Sequence, residues 1–60
     1  DGAMLIQHES AKVAQSVEIA DWAAVGPRSS VDKQCRLHRV AIASGVSVQA
    51  NQHLQDLLIL

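Results

Sequence analysis

The stretch HRVAIASGVSVQ, residues 38–49, limits the fold more than any other part of the chain. A small residue, Ala41, lies four positions before Gly45, and an apolar residue and a hydroxyl residue follow that glycine. Gly45 can adopt a positive φ without steric cost, Val46 can fill the core behind the turn, and Ser47 can cap a following helix. This order of residue types predicts two helices joined by a tight turn, a helix–turn–helix.

Two breaks divide the sequence into three segments. Gly26-Pro27 is the first, because glycine favours the position after a helix and proline cannot continue one. Ser44-Gly45 is the second. Apolar residues around these breaks recur at steps of three and four, and we detect no internal repeat. The predicted fold is an all-α, small three-helix domain, with helices over about 10–25, 30–43 and 48–58, and with 1–9 as a tag remnant or flexible start.

The residues available for a core are almost all aliphatic. The 60 residues include a single aromatic one, Trp22, which we predict to be a largely buried anchor in the core or in an interface. A domain this small is only marginally stable without a staple or a partner. The inner face of the second predicted helix comprises Val31, Leu37, Val40, Ala41 and either Cys35 or Gln34.

The positive charges are concentrated although the chain is nearly neutral. The formal net charge is −1, so the chain as a whole gives no electrostatic reason to bind nucleic acid. Four of the five Lys and Arg residues lie within 28–39, namely Arg28, Lys33, Arg36 and Arg39. This run forms either a local basic face that contacts phosphates or an ordinary solvated face.

Several classes of function have little support in the sequence. The one cysteine, Cys35, excludes an internal disulfide and favours a reducing, cytoplasmic (intracellular) location. No apolar run approaches the length of a membrane span. Cys35 and His38 have the spacing of two metal ligands, but no further ligands accompany them. We therefore expect no catalytic residues, no metal, no cofactor and no enzymatic activity.

The string KQCRLHRVAIASGVSVQ, residues 33–49, resembles the RNA-binding motif of the methionine-rich domain in the GTPase subunit of signal recognition particle. The resemblance covers residues 33–58, and the matching positions are Arg36, Arg39, Val40, Ala41, Ser44, Gly45 and Ser47. Ala43 departs from the motif, which has a glycine there. The same string resembles the helix–turn–helix of bacterial repressors, whose second helix enters the major groove. The resemblance implies RNA or DNA as the partner and leaves the choice between them open.

Two functions follow from these observations. The first is a nucleic-acid-binding helix–turn–helix, in which one group of residues contacts phosphates and a second group contacts bases or sugars. The phosphate group is Lys33, Arg36 and Arg39, and the base group is Ser47, Gln49, Gln52 and His53. The same residues are also compatible with a compact helical hairpin that binds no nucleic acid.

The second function is a helical protein–protein interaction or oligomerisation module. The segment LQDLLIL ends in four apolar residues, and such a run is costly to leave in water. We expect its partner to be a second copy of the chain or a larger protein. The predicted contact residues are Trp22, Leu54, Leu57 and Leu58.

Overall fold

The computed structural model describes residues 3–60, and this part of the chain contains β-strands and no helix. The strands are two to eight residues long, and every neighbouring pair is parallel. The seven strands are β1 (Met4–Gln7), β2 (Lys12–Val13), β3 (Glu18–Val25), β4 (Ser30–Val31), β5 (Arg36–Ile42), β6 (Ser47–Val48) and β7 (His53–Ile59).

The chain winds as a parallel β-solenoid. One sheet has the strand order β1-β3-β5-β7 and the other has the order β2-β4-β6, so each strand pairs with the strand two positions later in the sequence. Trp22 lies beside Met4 and Leu57 lies beside Val40, which gives coils of 18 and 17 residues. The coil shortens by one residue at a register shift between Ala20 and Ala23.

Each coil bends where a residue takes the left-handed conformation. These residues recur at equivalent positions of successive coils: Asp21, Arg39 and Asp56 at one bend, Arg28 and Gly45 at the second, and Gln34 and Asn51 at the third. Three bends give each coil three walls. Wall 1 comprises 4–7, 22–25, 40–42 and 57–59, wall 2 comprises 12–13, 30–31 and 47–48, and wall 3 comprises 18–20, 36–38 and 53–55.

A six-residue repeat supplies the core. One aliphatic residue per wall points inward at this spacing, beginning with Val13, Ile19, Val25, Val31 and Leu37. A second inward residue lies two positions before each of these, and the series is Ala11, Val17, Ala23, Ser29 and Cys35. Because side chains alternate across a strand, positions two apart face the same side. Short repeats of this kind are typical of parallel β-helices, in which each coil buries its inner face against the next.

The two polar members of the core have hydrogen-bond partners. The hydroxyl of Ser29 donates to the carbonyl of Ala43 and accepts the backbone N–H of Val46 at 3.0 Å. The thiol of Cys35 donates to the carbonyl of Gln49 at 3.1 Å. Both bonds join neighbouring coils, so these buried groups stabilise the stacking without an unpaired polar atom.

The structure overturns the predicted all-α fold. Residues 10–25, 30–43 and 48–58 form strands and bends rather than three helices, and the helix–turn–helix is absent from the described chain. The absence of a repeat was also a wrong prediction. The positive φ expected at Gly45 is confirmed, at 72°, but this glycine lies at a solenoid bend and not between two helices.

Candidate interaction surface

Wall 1 presents apolar side chains to solvent. Along β3 and β5 the inward residues are buried, and Ala24 and Ala41 between them are partly exposed on the outer side. In the first and last coils, Ile6 and Leu58 occupy the same outward column, and the exposed fraction of Leu58 is 66%. The complete outward set of wall 1 is Met4, Ile6, Trp22, Ala24, Ala41 and Leu58.

The other two walls are predominantly polar outside. On wall 2 the outward column is Lys12, Ser30 and Ser47. On wall 3 one outward column is Glu18, Arg36 and His53, and a second is Ala20, His38 and Gln55. A sheet with one solvated face normally alternates apolar residues inside with polar residues outside. Walls 2 and 3 largely follow that rule, whereas wall 1 does not.

A charged cluster borders wall 1 at the bend that separates it from wall 3. Arg39 Nε donates to Asp56 Oδ1 at 2.7 Å, and its Nη1 lies 3.7 Å from Asp21 Oδ2. His38 Nε2 lies 3.0 Å from the same Asp21 oxygen. The hydrogen bond from Arg39 lowers the pKa of the Asp56 carboxyl, and that bond raises the pKa of Arg39. The apolar surface therefore has an ionic rim along one side.

The residues predicted to contact phosphates do not form a free basic face. Arg36 donates from Nε and Nη2 to Glu18 at 3.1 and 2.9 Å, and Arg39 is paired with Asp56 and Asp21. These arginines are paired with carboxylates of neighbouring coils at exposed positions. Lys33 lies apart from them, between β4 and β5.

The residues predicted to contact bases are divided between walls. Ser47 faces outward on wall 2, and Gln49 follows that strand. His53 lies on wall 3 beside Arg36, and Gln52 precedes it and accepts the backbone N–H of Arg36 through its carbonyl at 2.8 Å. Because no helix carries these side chains, the nucleic-acid function based on a helix–turn–helix is wrong, and so is the helical form of the alternative module.

Three of the four predicted interaction residues lie on wall 1, and two of them face outward. Trp22 and Leu58 both face outward there, and Trp22 is 39% exposed rather than largely buried. Leu57 and Leu54 continue the columns of Val40 and Leu37 in the last coil, where Leu57 is 45% exposed and Leu54 is partly buried.

The sequence analysis did not predict four members of the apolar surface to be contact residues. Met4 and Ile6 fall in the segment assigned to a tag or flexible start, Ala24 was given no outward role, and Ala41 was expected on an inner face. The six-residue spacing is the signal that could have placed Ala24 and Ala41 outside, because each lies between two buried residues of its wall.

Two features are absent from residues 3–60. This part of the chain has no group of three or more His, Cys, Asp or Glu side chains that could hold a metal ion. It also contains no helix long and apolar enough to cross a membrane. Comparisons of the chain with protein-family models, with curated proteins and with solved structures find no match.

Proposed function

We propose that this β-solenoid is a non-enzymatic protein-interaction module and that the outward surface of wall 1 binds its partner. The proposal rests on one observation, the difference between wall 1 and the other two walls. Protein–protein interfaces commonly have an apolar centre and a polar rim. The Asp21, Arg39 and Asp56 cluster supplies such a rim.

The size of the surface indicates how it binds. Three strand spacings of ~4.8 Å and four residues of ~3.3 Å give wall 1 a flat area of about 190 Å². At ~25 cal/mol per Å², covering it contributes about 5 kcal/mol, which is comparable to the ~4–15 kcal/mol cost of association. Wall 1 therefore supports weak, reversible binding unless the partner also contacts the rim.

A neutral solvatochromic dye, Nile red, tests whether wall 1 is an accessible apolar surface. The matched variants are Ala24→Glu on wall 1 and Ala20→Glu on wall 3, which change the same residue type in the same strand. We expect Ala24→Glu to lose most of the dye emission and Ala20→Glu to retain it, with unchanged circular dichroism for both. Equal emission from the two variants would refute the proposed function.

A further inference from the structure

Uncharged groups join successive coils at the bend between walls 1 and 2. The backbone N–H of Arg28 donates to the hydroxyl of Ser10 at 3.0 Å. In the next coil, the backbone N–H of Gly45 donates to the carbonyl of Pro27 at 2.9 Å. Amides, carbonyls and serine hydroxyls keep the same protonation state from acid to neutral pH, so acid leaves these links between coils intact.

The bend between walls 2 and 3 is joined in the same way. The backbone N–H of Gln34 donates to the hydroxyl of Ser16 at 2.9 Å. The backbone N–H of Asn51 donates to the carbonyl of Lys33 at 3.1 Å. Two of the three bends are therefore held together by hydrogen bonds that involve no ionised side chain.

Charged side chains join the coils at the bend between walls 3 and 1. The strand ladders skip the left-handed residues here, so Asp21, Arg39 and Asp56 have no ladder partner in the described chain. Instead, Arg39 donates to both carboxylate oxygens of Asp56, at 2.7 and 3.3 Å, and its Nη1 lies 3.7 Å from Asp21 Oδ2. A single guanidinium therefore links the bends of three successive coils.

The titratable groups at this bend come from three strands. β3 contributes one, β5 two and β7 one, namely Asp21, His38, Arg39 and Asp56. β1, which pairs with β3, has no titratable side chain, and Glu18 and Arg36 pair with each other three residues earlier on wall 3. A protonated His38 places a second cation 3.0 Å from Asp21. Because a guanidinium stays charged, acid weakens this bend through the two carboxylates.

We infer that the bend between walls 3 and 1 is an acid- and salt-sensitive hinge, which loosens under conditions that leave the other two bends closed. Protonation of Asp21 and Asp56 removes the attraction that holds Arg39 between them. The three side chains are about half exposed, so dissolved salt screens the attraction as well. The hinge sets how firmly wall 1 is held against wall 3, whether or not wall 1 binds a partner.

Native-state amide hydrogen exchange measures local opening in each part of the solenoid. The amides of Val40 and Leu57, the first ladder residues after the hinge, are compared with those of Val31 and Val48 on wall 2. Each protection factor is taken relative to an unstructured peptide at the same pH. Between about pH 7 and about pH 3, we expect protection after the hinge to fall roughly two- to fivefold relative to wall 2, as for the loss of exposed ion pairs. Sodium chloride at about 0.5 M and neutral pH should shift the ratio in the same direction.

Asp56→Asn and Asp32→Asn are the matched variants. Asp32 is also exposed, but its carboxylate accepts the backbone N–H of Lys33 at 2.7 Å, a bond that an amide oxygen can also accept. We expect Asp56→Asn to show at neutral pH most of the loss that acid produces in the unmodified chain, and Asp32→Asn to behave like that chain.

Three results would overturn the hinge. They are an equal loss of protection on walls 1 and 2 in acid, a ratio that salt leaves unchanged at neutral pH, and equal ratios for Asp56→Asn and Asp32→Asn. The Nile red comparison of Ala24→Glu with Ala20→Glu tests the surface of wall 1 separately, so the hinge and the proposed function can each fail without the other.

Discussion

Gly26→Ala should lower the free energy of unfolding of the solenoid, because neighbouring coils are in contact at this position. A Cβ on Gly26 would lie 2.9 Å from the carbonyl carbon of Ala43 and from the carbonyl oxygen of Ile42, and 3.0 Å from the oxygen of Ala43. These are backbone atoms, and the Gly26 N–H donates to that Ile42 oxygen at 2.8 Å. No side-chain rotation can make room, so the two coils must separate locally.

The size of the effect follows from these contacts. Non-bonded carbon atoms pack best at about 3.5–4.0 Å, so the added methyl requires a local shift of about 0.5–1 Å. Overpacking on this scale costs about 1–3 kcal/mol, partly through weakening of the Gly26 hydrogen bond, which contributes ~1 kcal/mol. In a domain of this size, each kcal/mol lowers Tm by about 4–8 °C.

Gly45→Ala is the matched comparison. Gly45 has a φ of 72°, but nothing lies within 4 Å of the position that its Cβ would take. Arg28, at the equivalent bend of the preceding coil, adopts a φ of 58° as a non-glycine residue. The substitution therefore costs only the free energy of holding a residue with a Cβ in the left-handed conformation, about 1 kcal/mol. We expect thermal and urea unfolding, followed by circular dichroism, to show that Gly26→Ala is less stable than Gly45→Ala. A lower stability of Gly45→Ala would refute the contact argument.

Three further predictions concern the core and the rim. Leu37→Ala removes a fully buried side chain from a central coil and should cost about 2–5 kcal/mol in urea unfolding; Leu60→Ala, at a position 89% exposed, should change nothing measurable, and similar losses would contradict the core assignment. Ser29→Ala leaves the partly buried N–H of Val46 without its acceptor, so we expect urea unfolding to show a loss of about 1–3 kcal/mol, and an unchanged stability would contradict the role of this hydroxyl. Asp56 has a lowered pKa because its arginine partner donates a hydrogen bond to it. Its stabilising effect should be present above the ordinary pKa of an aspartate, about 4, and disappear as the pH falls through the lowered pKa. Asp56→Asn should therefore reduce Tm slightly at neutral pH in low salt, by an amount that shrinks in acid, and a difference that stays constant in acid would exclude this ion pair as its cause.

The sequence predicts where this chain turns better than what lies between the turns. Both glycine breaks fall at the bend between walls 1 and 2, and the left-handed Gly45 is confirmed. Glycine and proline restrict the backbone locally, so their effect can be inferred without knowing the fold. The other bends use Asp21, Gln34 and Asn51, and polar residues of these types are too common outside such bends to mark them.

The helical prediction failed because of the spacing of the inward residues. They are separated alternately by two and four positions, as in Val13, Val17 and Ile19. Steps of four match the helical pattern, whereas a β-strand is recognised by alternation over four or more residues. Each wall is too short to show such alternation before the next bend. Val31, Leu37 and Val40 were nevertheless expected to face the core, and they are buried, because their apolar character requires burial in either fold.

Because the spacing of two and four positions also fits a helix, wall 1 was not recognised as a surface from the sequence. Ile6, Ala24, Ala41 and Leu58 become neighbours only when the coil length is 17 or 18 residues. In a helix, Ala24 and Ala41 would lie on the apolar face and be buried. In the solenoid, they lie between two inward residues and must face outward. These two alanines therefore contribute nothing to the core. Apolar residues that lie outside a core that is already filled are the reason to expect a binding partner at wall 1.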